Sequence, residues 1–166
     1  KSALNIAHEC VDRHDPQRVA VNIINGDDPA GASDESYTFG QLSELSNRFA
    51  NYLLDKNIEP GARIAMMLEP SLIFYAALFG AMKARCVAVP LFTLFGPEGI
   101  ALRLDDCSPS LFIAAESHVK AAGERTECVS EIANDEFMLW RCINIPPVPR
   151  AFCRMRLSIA IARSLP

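Results

Sequence analysis

The amino-acid sequence predicts an α/β fold, built mainly from parallel βαβ units that follow an initial β-hairpin. Three short apolar runs, each bounded by turn residues, alternate with two segments of helical character. Uninterrupted apolar strands joined by apolar helices are typical of a parallel sheet covered on both faces, with right-handed crossovers. The predicted strands are residues 63–68, 86–91 and 110–115, and the predicted helices between them are residues 70–84 and 97–105.

The start of the chain predicts a short helix followed by a hairpin. An amphipathic helical pattern covers residues 3–14 and ends at Asp15-Pro16, because proline cannot continue a helix. Its apolar positions are Leu4, Ile6, Ala7 and Val11. Residues 18–25 are rich in β-branched side chains, and a loop with glycines and aspartates then leads to a second short strand at residues 36–39.

A capping box predicts where the next helix begins. Thr38 precedes Gln41 by three residues, the spacing at which a hydroxyl and an amide satisfy free backbone N–H groups. The apolar residues that follow fall on one helical face: Leu42, Leu45, Phe49, Tyr52 and Leu53. The turn at Glu59-Pro60-Gly61 ends this helix and leads into the parallel sheet.

Composition and charge exclude several classes of function. The chain has 166 residues, half of them hydrophobic, and a net charge of -4, so it can bury a core and lacks the basic surface of a nucleic-acid-binding protein. Its longest apolar stretch, residues 71–82, is shorter than the roughly 20 residues that span a bilayer. We therefore expect neither a nucleic-acid nor a membrane partner.

The six cysteines are scattered, without a CxxC pair or a nearby histidine partner. This spacing is unlike that of a zinc site, and no metal site is predicted. With no signal peptide and enough chain for a core, reduced thiols in a cytoplasmic protein are the favoured interpretation.

The composition changes after Glu136. The last 30 residues contain five arginines but no lysine and no acidic residue, and the segment Pro146-Pro147-Val148-Pro149 cannot lie in a helix or a central strand. We therefore predict an α/β subdomain at residues 1–125 and an atypical tail containing arginine and proline at residues 126–166. A shifted reading frame is one hypothesis for this tail, and sequencing the locus would test it.

Several motifs resemble those of adenylate-forming enzymes, in the correct order along about half of the chain. Residues 36–42 (SYTFGQL) resemble the family's Leu-Thr-Tyr-x-Glu-Leu motif, and residues 79–91 (FGAMKARCVAVPL) resemble its L-K-A-G-x-x-x-x-P motif. Further matching segments are NRFA at 47–50, PGARIA at 60–65, GPE at 96–98 and RLDDC at 103–107. The resemblance is to the amino-terminal portion of AMP-forming acyl-CoA synthetases, including acetyl-CoA synthetases. Arg85 departs from the family pattern, which has a glycine there; a helix end often needs a residue with positive φ, and arginine accepts that conformation at some cost.

The resemblance implies a reaction that this chain is not equipped to perform alone. Such enzymes convert a carboxylic acid and ATP to an acyl-adenylate, and then transfer the acyl group to coenzyme A. The full-length family therefore uses ATP, Mg and CoA, and holds the phosphates with a TSGTTGxPKG loop. This chain has no such loop and only three threonines, Thr38, Thr93 and Thr126. We assign it no catalytic, cofactor-binding or metal-binding residue.

Several charged side chains, the histidines and one cysteine could suggest a functional site, but we favour a structural role for each. Lys83 and Arg85 suit the negative end of a helix, and Asp105 and Asp106 are adjacent acids expected to point into solvent. The three histidines, His8, His14 and His118, lack a metal or nucleophile signature. Cys86 opens a buried strand and is expected to act as a small hydrophobe.

Three functions remain open at this point. The leading hypothesis is a synthetase fragment that is inactive until a complementary synthetase chain joins it. The alternative is a non-catalytic interaction module that binds a synthetase or itself through a sheet edge and apolar surface. A third hypothesis is a small-molecule-binding domain that uses the strand ends near Leu68, Leu91 and Ala115.

Overall fold

A parallel sheet forms the centre of the fold. The computed structural model of the protein describes residues 4–24, 34–122 and 129–132. In chain order its elements are β1 (Val19–Ile23), β2 (Glu35–Thr38), α1 (Phe39–Asp55), β3 (Arg63–Met67), α2 (Leu72–Lys83), β4 (Val87–Pro90), α3 (Pro97–Cys107), β5 (Leu111–Ala114), α4 (Glu116–Ala122) and β6 (Val129–Ile132).

The strands of this sheet have the order β4-β3-β5-β6, and every neighbouring pair is parallel. The predicted α/β fold with parallel βαβ units is therefore confirmed. The chain passes from β3 outward to β4 and then returns past β3 to β5. Because parallel crossovers are right-handed, this reversal places α2 and α3 on opposite faces of the sheet.

The side chains of β3 and β5 alternate between two separate cores. Ile64 and Met66 of β3 lie in a cluster with α1 and α2, whereas Ala65 and Met67 lie in a cluster with α3 and α4. Strand β5 divides in the same way, with Ile113 in the first cluster and Phe112 in the second. We call these the α1–α2 face and the α3–α4 face.

The hairpin and the helix that follows it agree with the sequence prediction. Strands β1 and β2 pair antiparallel. The Thr38 hydroxyl accepts from the Gln41 backbone N–H at 3.3 Å, and the Gln41 side-chain oxygen accepts from the Thr38 N–H at 2.9 Å. This capping box makes Phe39 the first residue of α1 instead of the last residue of the second strand.

The predicted amphipathic helix at residues 3–14 is correct in part. A π-helical segment spans His8–Asp12, with an N–H···O bond of 3.1 Å from Arg13 to His8, five residues earlier. Ala7 and Val11 are buried as expected, but Leu4 and Ile6 are 79% and 55% exposed. Leu4 lies before the helix, which begins at Ile6, and the Asn5 side-chain oxygen accepts from the Ala7 N–H at 3.0 Å at this start, so the amphipathic pattern does not extend to Leu4.

Helices α1 and α2 pack closely because of one glycine. A Cβ atom added to Gly80 would lie 2.7 Å from the Ser46 carbonyl oxygen and 2.8 Å from Phe49 Cδ1. Helix α2 begins two residues later than the predicted start at Pro70, since the Ser71 hydroxyl caps it by accepting from the Phe74 N–H at 3.2 Å.

Two elements were not predicted from the sequence. Helix α4 follows β5, and β6 extends the sheet into the segment that we expected to be an atypical tail. The rest of that tail, residues 126–128 and 133–166, lies outside the described residues. Within the described parts of the chain, no helix combines the length and the apolar character required to cross a membrane.

Candidate functional site

The strand order identifies the position where an α/β sheet of this type binds ligands. Ligands bind outside the carboxyl ends of parallel strands, at the point where the strand order reverses. Here the connection after β3 leads to β4 on one side, and the connection after β5 leads to β6 on the other side. The reversal therefore lies between β3 and β5, which end at Met67 and Ala114. We refer to this position as the switch point.

The charged groups that follow these strands are carboxylates in internal contacts. Glu69 accepts a hydrogen bond from the Thr93 hydroxyl, which links the connection after β3 to the connection after β4. Glu116, after β5, pairs with Lys120 at 2.6 Å. Its hydrogen bond to the Lys120 ammonium, together with the attraction between the two charges, lowers the pKa of Glu116 below its ordinary value. Because Lys120 neutralises Glu116 and Glu69 is negative, these groups offer no net positive charge to an anionic ligand such as a phosphate.

Lys83 is buried in an internal polar network. Its Nζ atom lies 2.6 Å from Asp12 Oδ1 and 2.9 Å from Asn47 Oδ1, and its side chain is 4% exposed. Asp12 Oδ1 also accepts from the Ser43 hydroxyl at 2.6 Å, while the Ser43 carbonyl lies 3.4 Å from Nζ. The helix-end interpretation of Lys83 was therefore incomplete, because a specific ion pair holds this ammonium away from any external phosphate.

Arg85 adopts the positive φ angle that is expected of a residue at this helix end. Its φ angle is 63°, in the left-handed region that favours glycine. The Cys86 N–H donates to the Ala81 carbonyl at 2.9 Å, and the Arg85 N–H donates to the Met82 carbonyl at 3.0 Å. These two bonds form a Schellman motif that ends α2. Arg85 thus terminates a helix, and its exposed side chain lies at the opposite end of β4 from the switch point.

The histidines and the adjacent aspartates are not assembled into a site. His14 stacks on Phe39 with ring centroids 4.4 Å apart, and His8 is exposed. His118 lies on α4, and its Nδ1 atom is buried without a hydrogen-bond partner among the described residues. Asp105 and Asp106 are both exposed on α3, as expected. The described residues contain no group of three or more His, Cys, Asp or Glu side chains arranged to hold a metal ion.

Cys86 is buried, and burial raises the pKa of its thiol above the ordinary value. Its Sγ atom lies 3.8 Å from the carbonyl oxygens of Glu59 and Ala84, both acceptors for a weak S–H donor. A thiol that stays protonated is a poor nucleophile, so these contacts agree with the predicted role as a small hydrophobe.

Sequence reasoning missed the partners of Lys83. Ser43 and Asn47 lie four residues apart, so they share one face of α1, and this spacing was a usable signal. Asp12 is 71 residues from Lys83 in sequence, and no local pattern connects the two.

The fold and its switch point define the class of this protein as a partial, doubly wound α/β domain. The family model for AMP-binding enzymes matches residues 9–148, well over half of the chain. The chain therefore belongs to the AMP-binding enzyme family, as its motifs predicted.

Curated relatives support the same family. Acetyl-coenzyme A synthetase 1 of Pseudomonas aeruginosa is 34% identical over 128 residues, which cover 74% of this chain and 19% of that protein. Acetyl-coenzyme A synthetase of Caulobacter vibrioides is 32% identical over 116 residues, covering 68% of this chain and 18% of that protein. The chain thus spans about a fifth of the length of these relatives.

Solved structures also match the fold. The acyl-CoA synthetase of Brucella canis superposes with a TM-score of 0.68 at 28% identity, covering 80% of this chain and 24% of that one. MatB of Rhodopseudomonas palustris with bound ATP has a TM-score of 0.66 at 19% identity, with 77% and 25% coverage, a likeness that supports the fold alone.

Proposed function

We propose that this chain is the amino-terminal structural portion of an AMP-forming acid–thiol ligase and that it does not activate carboxylic acids by itself. In the reaction that the family resemblance implies, a carboxylate attacks ATP to give an acyl-adenylate and pyrophosphate. The thiol of coenzyme A then displaces AMP to give the acyl-CoA. Both steps require the phosphates to be held while negative charge moves.

The phosphate contacts carry this proposal. No glycine-rich loop with serine and threonine occurs in the sequence. Of the threonines, Thr38 caps α1 and Thr93 donates to Glu69, while Thr126 lies outside the described residues. The switch point carries two carboxylates, and Lys83 is buried against Asp12. The missing loop and the internal partners of Thr38, Thr93 and Lys83 support a nucleotide site in another part of the synthetase fold.

A pyrophosphate-release assay tests this proposal. The full chain is incubated with ATP, magnesium and a panel of carboxylic acids, with acetyl-coenzyme A synthetase 1 of P. aeruginosa as the positive control. With every carboxylic acid, we expect pyrophosphate to be released only at the background rate. Turnover that depends on both ATP and an acid would contradict the proposal that this chain does not activate carboxylic acids by itself.

A non-catalytic interaction module is the second candidate, and one observation favours it. Phe92 and Leu94, directly after β4, are 60% and 79% exposed, and exposed apolar residues that lie close together often mark interaction sites. In this function the chain binds a synthetase or a second copy of itself. Size-exclusion chromatography with light scattering at several concentrations tests self-binding, and a strictly monomeric chain would count against that form.

We further propose a cytoplasmic location, on the basis of thiol chemistry. Cys10 and Cys86 are free thiols within the part of the chain that the structure describes, a pattern typical of a reducing compartment. Alkylation of the unfolded protein purified without reductant, followed by intact-mass analysis, should label all six cysteines. A mass deficit of two or more labels would indicate disulfides and contradict this location.

A further inference from the structure

We draw no further inference here: the strongest candidate, the exposed apolar surface of Phe92 and Leu94 on the connection between β4 and α3, carries none because nothing in the described part of the structure shows what covers it.

Discussion

The two faces of the parallel sheet are completed in different ways. On the α1–α2 face, Lys83 and Asp12 are paired within the packing, and Gly80 allows α1 to approach α2 at van der Waals distance. On the α3–α4 face the buried cluster is smaller, and the connection leading into α3 exposes Phe92 and Leu94. On the α1–α2 face, the buried Lys83 ammonium has its charged partner, Asp12, within this chain. The α3–α4 face leaves two large apolar side chains exposed, so the two sides of one sheet differ in how fully their apolar residues are buried.

The largest expected effect comes from breaking the buried ion pair. D12A removes the carboxylate that faces the Lys83 ammonium, and an uncompensated buried charge costs about 3 kcal/mol in the free energy of unfolding. Urea denaturation followed by circular dichroism measures this loss. The double variant D12A/K83M should recover most of it, because the charge is removed together with its partner. A loss below about 1 kcal/mol in D12A would show that the pair is not a main support of the α1–α2 face.

The next effect tests how closely α1 and α2 pack. In G80A the added Cβ would lie 2.7 Å from the Ser46 carbonyl oxygen, so the helices must separate. Overpacking of this kind costs about 2 kcal/mol, more than the roughly 1 kcal/mol that alanine adds as a helix former. The matched control is G96A, where a Cβ has nothing within 4 Å and little change is expected. Equal midpoints of thermal unfolding for the two variants would contradict the close approach.

A smaller effect, of opposite sign, is expected where α2 ends. R85G relieves the left-handed strain of a non-glycine residue at φ 63°, about 1–2 kcal/mol, and this gain is partly offset by the greater freedom of glycine in the unfolded chain. We expect a net stabilisation of about 0.5 kcal/mol in urea denaturation. Asn57, at φ 55°, provides the comparison: N57G should gain less because asparagine tolerates this conformation. A destabilised R85G would mean that the arginine side chain contributes more than its backbone costs.

The smallest effect belongs to the exposed connection. L94S changes a side chain that is 79% exposed, so the free energy of unfolding of the free chain should change by less than about 0.5 kcal/mol. The same denaturation experiment serves as the measurement. A loss comparable to that in D12A would show that Leu94 supports the segment itself, and the contrast between the two faces would no longer hold.

The sequence was informative where structure depends on neighbouring residues. The capping box of Thr38 and Gln41, the apolar strands and the left-handed position of Arg85 all follow from patterns within a few residues, and all are present. The parallel arrangement followed from the same strands, because a strand without polar alternation must be covered on both faces.

Long-range pairing and unusual turns could not be predicted in this way. Asp12 reaches Lys83 across 71 residues, and only the folded helices bring the two together. The π-helical turn at His8–Asp12 gave no signal in the sequence, and Leu4 is exposed because the helix begins only at Ile6. The candidate site was predictable as a set of strand ends, but the hydrogen bond from Thr93 to Glu69 was not.

Strand β4 lies at the outside of the described sheet, and its sequence limits what can join it. The N–H groups of Val87 and Leu91 donate inward to the carbonyls of Ala62 and Met66, so the backbone of Ala88 and Pro90 faces away from β3. Proline has no N–H, which leaves Ala88 as the outward donor of this strand. Another strand that added to this edge would find only one donor within β4, the Ala88 N–H, so edge-to-edge pairing of copies is weakened here.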